Sequence, residues 1–412
     1  MNRKERRHQQ KTAPNYDAAI ALNQALDLFN QGDLTGAMQT CRQVIKAQPR
    51  NSDALNICGV ISIQQGKTKA GIKFLKQATK ANPDNSQAHF NLGTACAAEG
   101  KLQQARDSHL RALDIDPGYV DARYNLANVL CQLDAPKEAE VEYRRALDLN
   151  PAHPGAATNL ASLYLERSEP AEALKACEIA LSASPGDRDA LAFKAIACSE
   201  LGDATSAHEI LNIDELVRCY DHACPADFDG MEDFNAALVA HVLGHPTLSR
   251  EPHNMATRNG WQTENLSLGE KGPIAALEML IGDAMDDYLA AIPPSPSHPY
   301  RASMPELTKI DIWGTVLESQ GHQAPHMHRA AWLSGVYYAQ LPDAMTGGDG
   351  DQAGWIEFGR PQDRFPCKIE PEIRMFEPRL GRMFLFPSYI YHRTIPFESS
   401  EQRISIAFDL LA

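Results

Sequence analysis

Prolines at positions 49, 83, 117, 151 and 185 recur every 34 residues, and three further columns keep the same step. Ala54, Ala88, Ala122, Ala156 and Ala190 form one column. Gly32, Gly66, Gly100 and Gly202 form another, with Asp134 and Ser168 in its two missing places, and Ala37, Gly71, Ala105, Ala139, Ala173 and Ala207 form the last. Four aligned columns are not a chance pattern. A 34-residue step is one helix-turn-helix unit: the glycine column permits the sharp interhelical turn, small residues let paired helices approach closely, and proline ends the second helix.

Each unit resembles the tetratricopeptide repeat (TPR), as in Ser86 to Tyr119, "SQAHFNLGTACAAEGKLQQARDSHLRALDIDPGY". The likeness covers residues 17–212, about six repeats, and implies an all-α solenoid whose concave face holds an extended peptide or a partner helix. Asn91, Asn125 and Asn159 keep the same step on the first helix of their units. They resemble the asparagine ladder with which some such arrays grip a peptide backbone; equally, they could bond along the groove or to solvent.

At 412 residues the chain exceeds one ordinary domain, and its 43% hydrophobic content is that of a packed soluble protein. No run of about 18 apolar residues occurs and the charged start "MNRKERRH" has no apolar stretch behind it, so neither a membrane span nor a signal peptide is expected. Residues 1–16 read as a disordered basic tail. The formal net charge of −14 disfavours nucleic acid as a partner, because phosphate binding needs clustered Lys and Arg. The nine cysteines are odd in number and mostly fall in the repeats as small buried residues, which suits reduced thiols in the cytoplasm. The sequence assigns no oligomeric state.

Periodicity breaks near Ile213, where a second domain, residues 213–412, is expected to begin with a helical front over 213–305. Ile274, Leu277, Leu280, Ile281, Met285 and Leu289 have helical spacing, and "IPPSPSHPY" stops that helix, which should pack outside the strands that follow. In "HNMATRNGWQTENL", Arg258, Trp261 and Gln262 read first as loop anchors and second as an entrance lining. Histidines 222, 241, 245, 253 and 298 lack paired spacing and read as surface or satisfied core residues.

From residue 306 onward the pattern turns to period two in "KIDIWGTVLE", "WLSGVYYAQL", "GWIEFGR", "GRMFLFP" and "RISIAFDL", separated by Gly, Pro and Asp turns. Short strands with such breaks suit a double-stranded β-helix, the jelly-roll or cupin-like architecture, so the fold class is α + β. His326-Met327-His328 lies among them; in an extended strand i and i+2 face one way, so two imidazoles can reach one metal, with His392 as a distant third ligand. Imidazole suits iron, zinc or copper. Ile404, Ile406 and Phe408 alternate with Arg403 and Ser405, which must therefore share the opposite face, pointing into the barrel.

The order HxH, "SGVYY", "GG", "GRMFLFPSYIYH" and "RIS" resembles the 2-oxoglutarate and Fe(II)-dependent oxygenases. It is most similar to their prolyl-hydroxylase-like branch and to bacterial oxygenases that trail a tetratricopeptide array. The resemblance implies an Fe(II) site, 2-oxoglutarate as cosubstrate and ascorbate as reductant. By motif position His326 and His392 resemble the two histidine ligands, Arg403 the arginine that pairs bidentately with the far carboxylate of 2-oxoglutarate, Ser405 the hydroxyl of the RxS pattern, and Tyr338 a tyrosine that donates to the same carboxylate. One position departs. Where the family has HxD or HxE, residue 328 is histidine, which leaves the site about one charge unit more positive. Either three imidazoles hold the metal, or His328 is no ligand and water or an acid elsewhere completes the shell. Asp349, Asp351 and Glu357 are the nearby acids, and His322 is a possible substitute. Trp332, Trp355 and Phe358 read as packing, with Trp332 also a possible pocket wall.

The expected activity is thus hydroxylation of a protein or peptide side chain captured by the repeats. Two alternatives stay open: a binding scaffold whose barrel has lost catalysis, and a three-histidine dioxygenase that ignores 2-oxoglutarate.

Overall fold

The computed structural model describes residues 17–251, 256–296, 298–302, 304–345 and 352–412; the basic tail lies outside them. Antiparallel helices follow one another in pairs from Ala18–Asn30 with Leu34–Ala47 to Arg188–Glu200 with Ala204–Leu211. Local chemistry sets their ends. Asn51, Asn85 and Asp187 cap first helices by accepting from the backbone N–H of Ala54, Ala88 and Ala190, the alanine column itself. At the interhelical turn Gly32, Gly66, Gly100 and Gly202 have φ of 82°, 74°, 69° and 79°, while Asp134 and Ser168 are held at 57° and 56°, where a side chain is unfavourable. Small residues are required where the helices touch: a Cβ on Gly71 would sit 2.7 Å from the Gly59 carbonyl oxygen.

The array is not free of anomaly. His109 is wholly buried with neither ring nitrogen hydrogen-bonded, and burial pulls its pKa down to about 4. Two members of the asparagine column are engaged along the array: Asn91 donates to Asn56 at 2.9 Å and Asn125 to Thr94 at 3.3 Å.

By compactness the chain divides at another place than its period does, into Met1–Ala156 and Ala157–Ala412. Within the second unit, Arg364 Nη1 meets Glu166 at 2.7 Å, Arg329 Nε meets Asp189 at 3.0 Å, and Arg188 Nε donates to the Ala331 carbonyl at 3.0 Å. Glu200 accepts from the backbone N–H groups of Lys368 and Ile369.

The strands of that unit are β1 (Arg218–Asp221), β2 (Ser249–Arg250), β3 (Thr257–Gln262), β4 (Lys309–Gln323), β5 (Leu333–Gln340), β6 (Ile356–Phe358), β7 (Arg374–Phe376), β8 (Arg382–Pro387), β9 (His392–Thr394) and β10 (Arg403–Leu411). They form two antiparallel sheets, one ordered β1-β8-β5-β10-β4-β3-β2 and the other β7-β6-β9. The expected helix is present at Ile274–Ala291 and lies against β8, burying Ile274, Leu277, Leu280, Ile281, Ala284 and Tyr288. A second helix, Met231–Leu243, covers β5, where Tyr337 donates to Asn235 at 2.7 Å. The segment read as a loop around Trp261 is instead strand β3, paired with β4 through a register shift between Arg258 and Gly260. That irregularity broke the alternation by which a strand is recognised. Among the described residues no helix is long and apolar enough to cross a membrane.

Candidate metal centre

His326, His328 and His392 offer ring nitrogens that all lie within 4.8 Å of one another. Shared bonds of roughly 2 Å would put ligand atoms roughly 3 to 4 Å apart, a small contraction. Backbone pairing brings the three together: His326 forms an isolated antiparallel bridge with His392, their N–H and C=O groups bonding reciprocally at 3.1 and 2.9 Å, and the His328 N–H donates to the Ser388 carbonyl at 2.9 Å. The HxH segment therefore does not belong to a regular strand as expected; its bridge to His392 and its bond to Ser388, rather than strand alternation alone, set the approach of its rings.

Each imidazole has its Nδ1 against an acceptor that has no proton to give. His326 Nδ1 meets the Ala324 carbonyl at 2.8 Å, His392 Nδ1 the Ile390 carbonyl at 3.1 Å, and His328 Nδ1 an Asp409 carboxylate oxygen at 2.5 Å. Hydrogen therefore resides on Nδ1, and Nε2 is the atom left free to bind a ligand. Burial, reinforced by the neighbouring His328, pushes His326 down to about 3 and His392 well below the usual histidine value, so both rings are neutral at physiological pH. Convergent and oriented, the trio fits a divalent transition metal.

These rings line a cavity of about 670 Å³ together with Arg403 and Tyr338. On β10 the residues Arg403, Ser405, Ala407 and Asp409 share the inward face. Arg403 is 1% exposed, gives one hydrogen bond, from Nη1 to Ser405 at 3.3 Å, and lies 4.9 Å from the Tyr338 ring centre. Among the described residues no carboxylate pairs with it. Burial pulls its pKa below the arginine norm, and its Nε is unbonded. Tyr338 is fully buried and its hydroxyl has no hydrogen-bond partner; burial raises its pKa and the adjacent Arg403 guanidinium opposes that rise. Strand register extends the group. Ser405 stands opposite Tyr338 on β5 and opposite Thr315 on β4, and the Thr315 hydroxyl is a third buried atom without a partner. A buried cation beside an unsatisfied tyrosine hydroxyl matches the chemistry of a carboxylate ligand.

Other candidates fall elsewhere. Glu357 is buried but occupied by Arg360 at 2.7 Å and Arg393 at 2.7 and 3.1 Å, so it is not available to the metal shell. Asp349 and Asp351 lie outside the described residues, as does His253. His322 sits on β4 and bonds the Gln320 carbonyl, apart from the trio. Trp332 is no pocket wall: it stacks on Tyr300 at 4.3 Å. The tryptophan in the cavity is Trp313, 5.5 Å from the His328 ring. Gln262 lines the cavity too, while accepting from Thr257 at 3.1 Å. Asp409, Trp313 and Thr315 were not singled out from the sequence; continuing the inward period of "RISIAFDL" by two steps would have reached Asp409.

A family model described as "Putative 2OG-Fe(II) oxygenase" matches residues 311–409. One tetratricopeptide-repeat model matches residues 63–120, 124–188 and 158–212, and a second such model residues 97–145. No curated protein matches the chain. Among solved structures it is similar to "Crystal structure of MamA protein", at 25% identity over 40% of this chain and 91% of that chain, TM-score 0.37. It is likewise similar to the pilF protein of Pseudomonas aeruginosa, at 18% identity over 47% of this chain and 88% of that one, TM-score 0.43. A third is YrrB, described as "a TPR protein with an unusual peptide-binding site", at 20% identity over 42% of this chain and 91% of that chain, TM-score 0.39. The chain thus joins tetratricopeptide repeats, residues 63–212, to a domain of the 2OG-Fe(II) oxygenase family, residues 311–409.

Proposed function

We propose that the chain is a 2-oxoglutarate- and Fe(II)-dependent dioxygenase that hydroxylates a protein or peptide side chain held by its repeat array, with a solenoid over residues 17–212 and an oxygenase-like domain over 213–412. We read the sheets as a jelly roll, with β4-β10-β5-β8 as one four-strand layer and the His326 bridge, β9, β6 and β7 as the other, a reading supported by the strand orders and the bridge. His326, His328 and His392 hold the metal through Nε2. Arg403 pairs with the far carboxylate of 2-oxoglutarate, and Tyr338 and Ser405 direct their hydroxyls to it. When bound, iron with 2-oxoglutarate supplies the oxidising chemistry. The chain's own work is to orient the cosubstrate, to keep the three rings aimed, and to exclude water behind buried Tyr338 and Phe386. None of the nine cysteines forms a disulfide, in keeping with a reducing, cytoplasmic setting.

The observation that carries this reading is the pairing, in one cavity, of three convergent imidazoles with a buried guanidinium that no carboxylate among the described residues pairs with. The test is succinate formation from 2-oxoglutarate by the purified chain given Fe(II) and ascorbate. Iron-dependent turnover that Arg403→Ala abolishes supports it. A chain that binds iron yet never consumes 2-oxoglutarate would instead be a three-histidine dioxygenase of another class, and one that binds no iron a scaffold.

A further inference from the structure

We propose that Asp409 is the positioning residue of the metal centre: acting through His328, it supplies the negative charge that a directly ligating carboxylate would otherwise bring. The inference rests on the reading of the three histidines as the metal site.

The three imidazoles differ in what holds them. His326 and His392 give their Nδ1 hydrogens to neutral backbone carbonyls, whereas His328 alone gives its hydrogen to a carboxylate. The pairing is built by strand register. Asp409 stands directly opposite Ser334 on β5, and the Ser334 hydroxyl donates to the same Asp409 oxygen at 2.6 Å, so two donors fix it. Asp311, opposite Asp409 on β4, is taken up by Lys309 at 2.8 Å and Asn265 at 2.7 Å and does not compete for the histidine. Side-chain exposures of 11% for His328 and 15% for Asp409 mean water screens the pair only in part.

Charge and geometry then point the same way. A divalent ion bound by three neutral imidazoles keeps its full charge, whereas a carboxylate hydrogen-bonded to one ligand's Nδ1 passes negative charge through the ring and raises the basicity of its Nε2. Because Nδ1 and Nε2 face away from one another across the ring, a carboxylate seated at Nδ1 cannot also ligate the metal at Nε2. Asp409 therefore acts at one remove. The histidine at position 328 and the aspartate 81 residues later perform together what a single acid does at the second position of an HxD motif.

The experiment measures Co(II) and anaerobic Fe(II) affinity of the full chain by competition with a chromophoric chelator, for wild type, Asp409→Asn, His328→Ala and the double variant. Melting of each metal-free protein is followed in parallel. Asp409→Asn should bind about 10- to 100-fold more weakly with unchanged metal-free melting. In the His328→Ala background it should add nothing, the two variants agreeing within about two-fold. Wild-type affinity in Asp409→Asn, or an equal loss in both backgrounds, overturns the inference. If Asp409→Asn does not fold, Ser334→Ala carries the test, with a smaller loss expected and no loss overturning it. A wild-type chain that binds no metal overturns both this inference and the proposed function. One that binds metal with the expected non-additivity but forms no succinate overturns only the oxygenase reading.

Discussion

Replacing Arg403 by methionine should make the empty protein more stable and the same protein a poor binder of 2-oxoglutarate. Removing an arginine-sized ion from water costs several kcal/mol even after relaxation. Against this, the structure offers one long hydrogen bond to Ser405 at 3.3 Å, worth about 1.5 kcal/mol, and a partly aligned contact 4.9 Å from the Tyr338 ring, worth about 1 kcal/mol. The deficit is about 1 to 2 kcal/mol, and methionine, apolar and flexible enough to fill the space, removes it. A bidentate guanidinium–carboxylate contact in a buried site is worth about 3 kcal/mol, so cosubstrate affinity should fall about 100-fold. Urea denaturation of metal-free protein measures the first quantity and calorimetric titration of 2-oxoglutarate into metal-loaded protein the second. A variant that loses about 2 kcal/mol in the empty state would show that internal partners already satisfy Arg403, and the argument for an anion site would fail.

Tyr338→Phe removes an unbonded buried hydroxyl; it should leave metal-free stability equal or about 1 kcal/mol higher while weakening 2-oxoglutarate binding about 5- to 10-fold, as read by the same two titrations. Ser168→Gly relieves a side chain held at φ 56° and should stabilise the array by about 1 kcal/mol in urea, whereas a loss would mean that this hydroxyl or its backbone has unseen support. His109, lowered to about 4 from an ordinary value near 6.5, takes up its proton first in the unfolded chain; the array is therefore fully stable above pH 6.5 and loses up to about 3 kcal/mol as pH falls towards 4. His109→Leu should flatten that dependence, and an unchanged slope would clear His109 of it.

Much of the architecture was legible because it is periodic. A 34-residue step identifies the helical pairs, and even its defects are informative, since Asp134 and Ser168 keep the left-handed turn that the glycines around them set. Period-two burial likewise put Arg403 and Ser405 on the inward face of β10. What escaped was whatever depends on register between strands. Thr315 comes beside Ser405 only through the pairing of β4 with β10, and Asp409 meets His328 only because it stands opposite Ser334. Short or irregular strands were also hidden: β3 carries a register shift at Gly260, whose added Cβ would meet the Val316 carbonyl oxygen at 2.6 Å, and so shows no clean alternation. The convergence of the histidines was anticipated for an incomplete reason, because the bridge between His326 and His392, rather than strand alternation alone, sets their approach.

The central claim is that one metal ion sits among three Nε2 atoms in the cavity that Arg403 closes. An anaerobic crystal of the chain soaked with Fe(II) and 2-oxoglutarate, with diffraction recorded on both sides of the iron absorption edge, measures it directly. The account predicts one anomalous peak at roughly 2 Å from the Nε2 atoms of His326, His328 and His392, with a carboxylate on the Arg403 guanidinium. Iron bound elsewhere, or a peak held by only two of the rings with an acid in the third place, would contradict it.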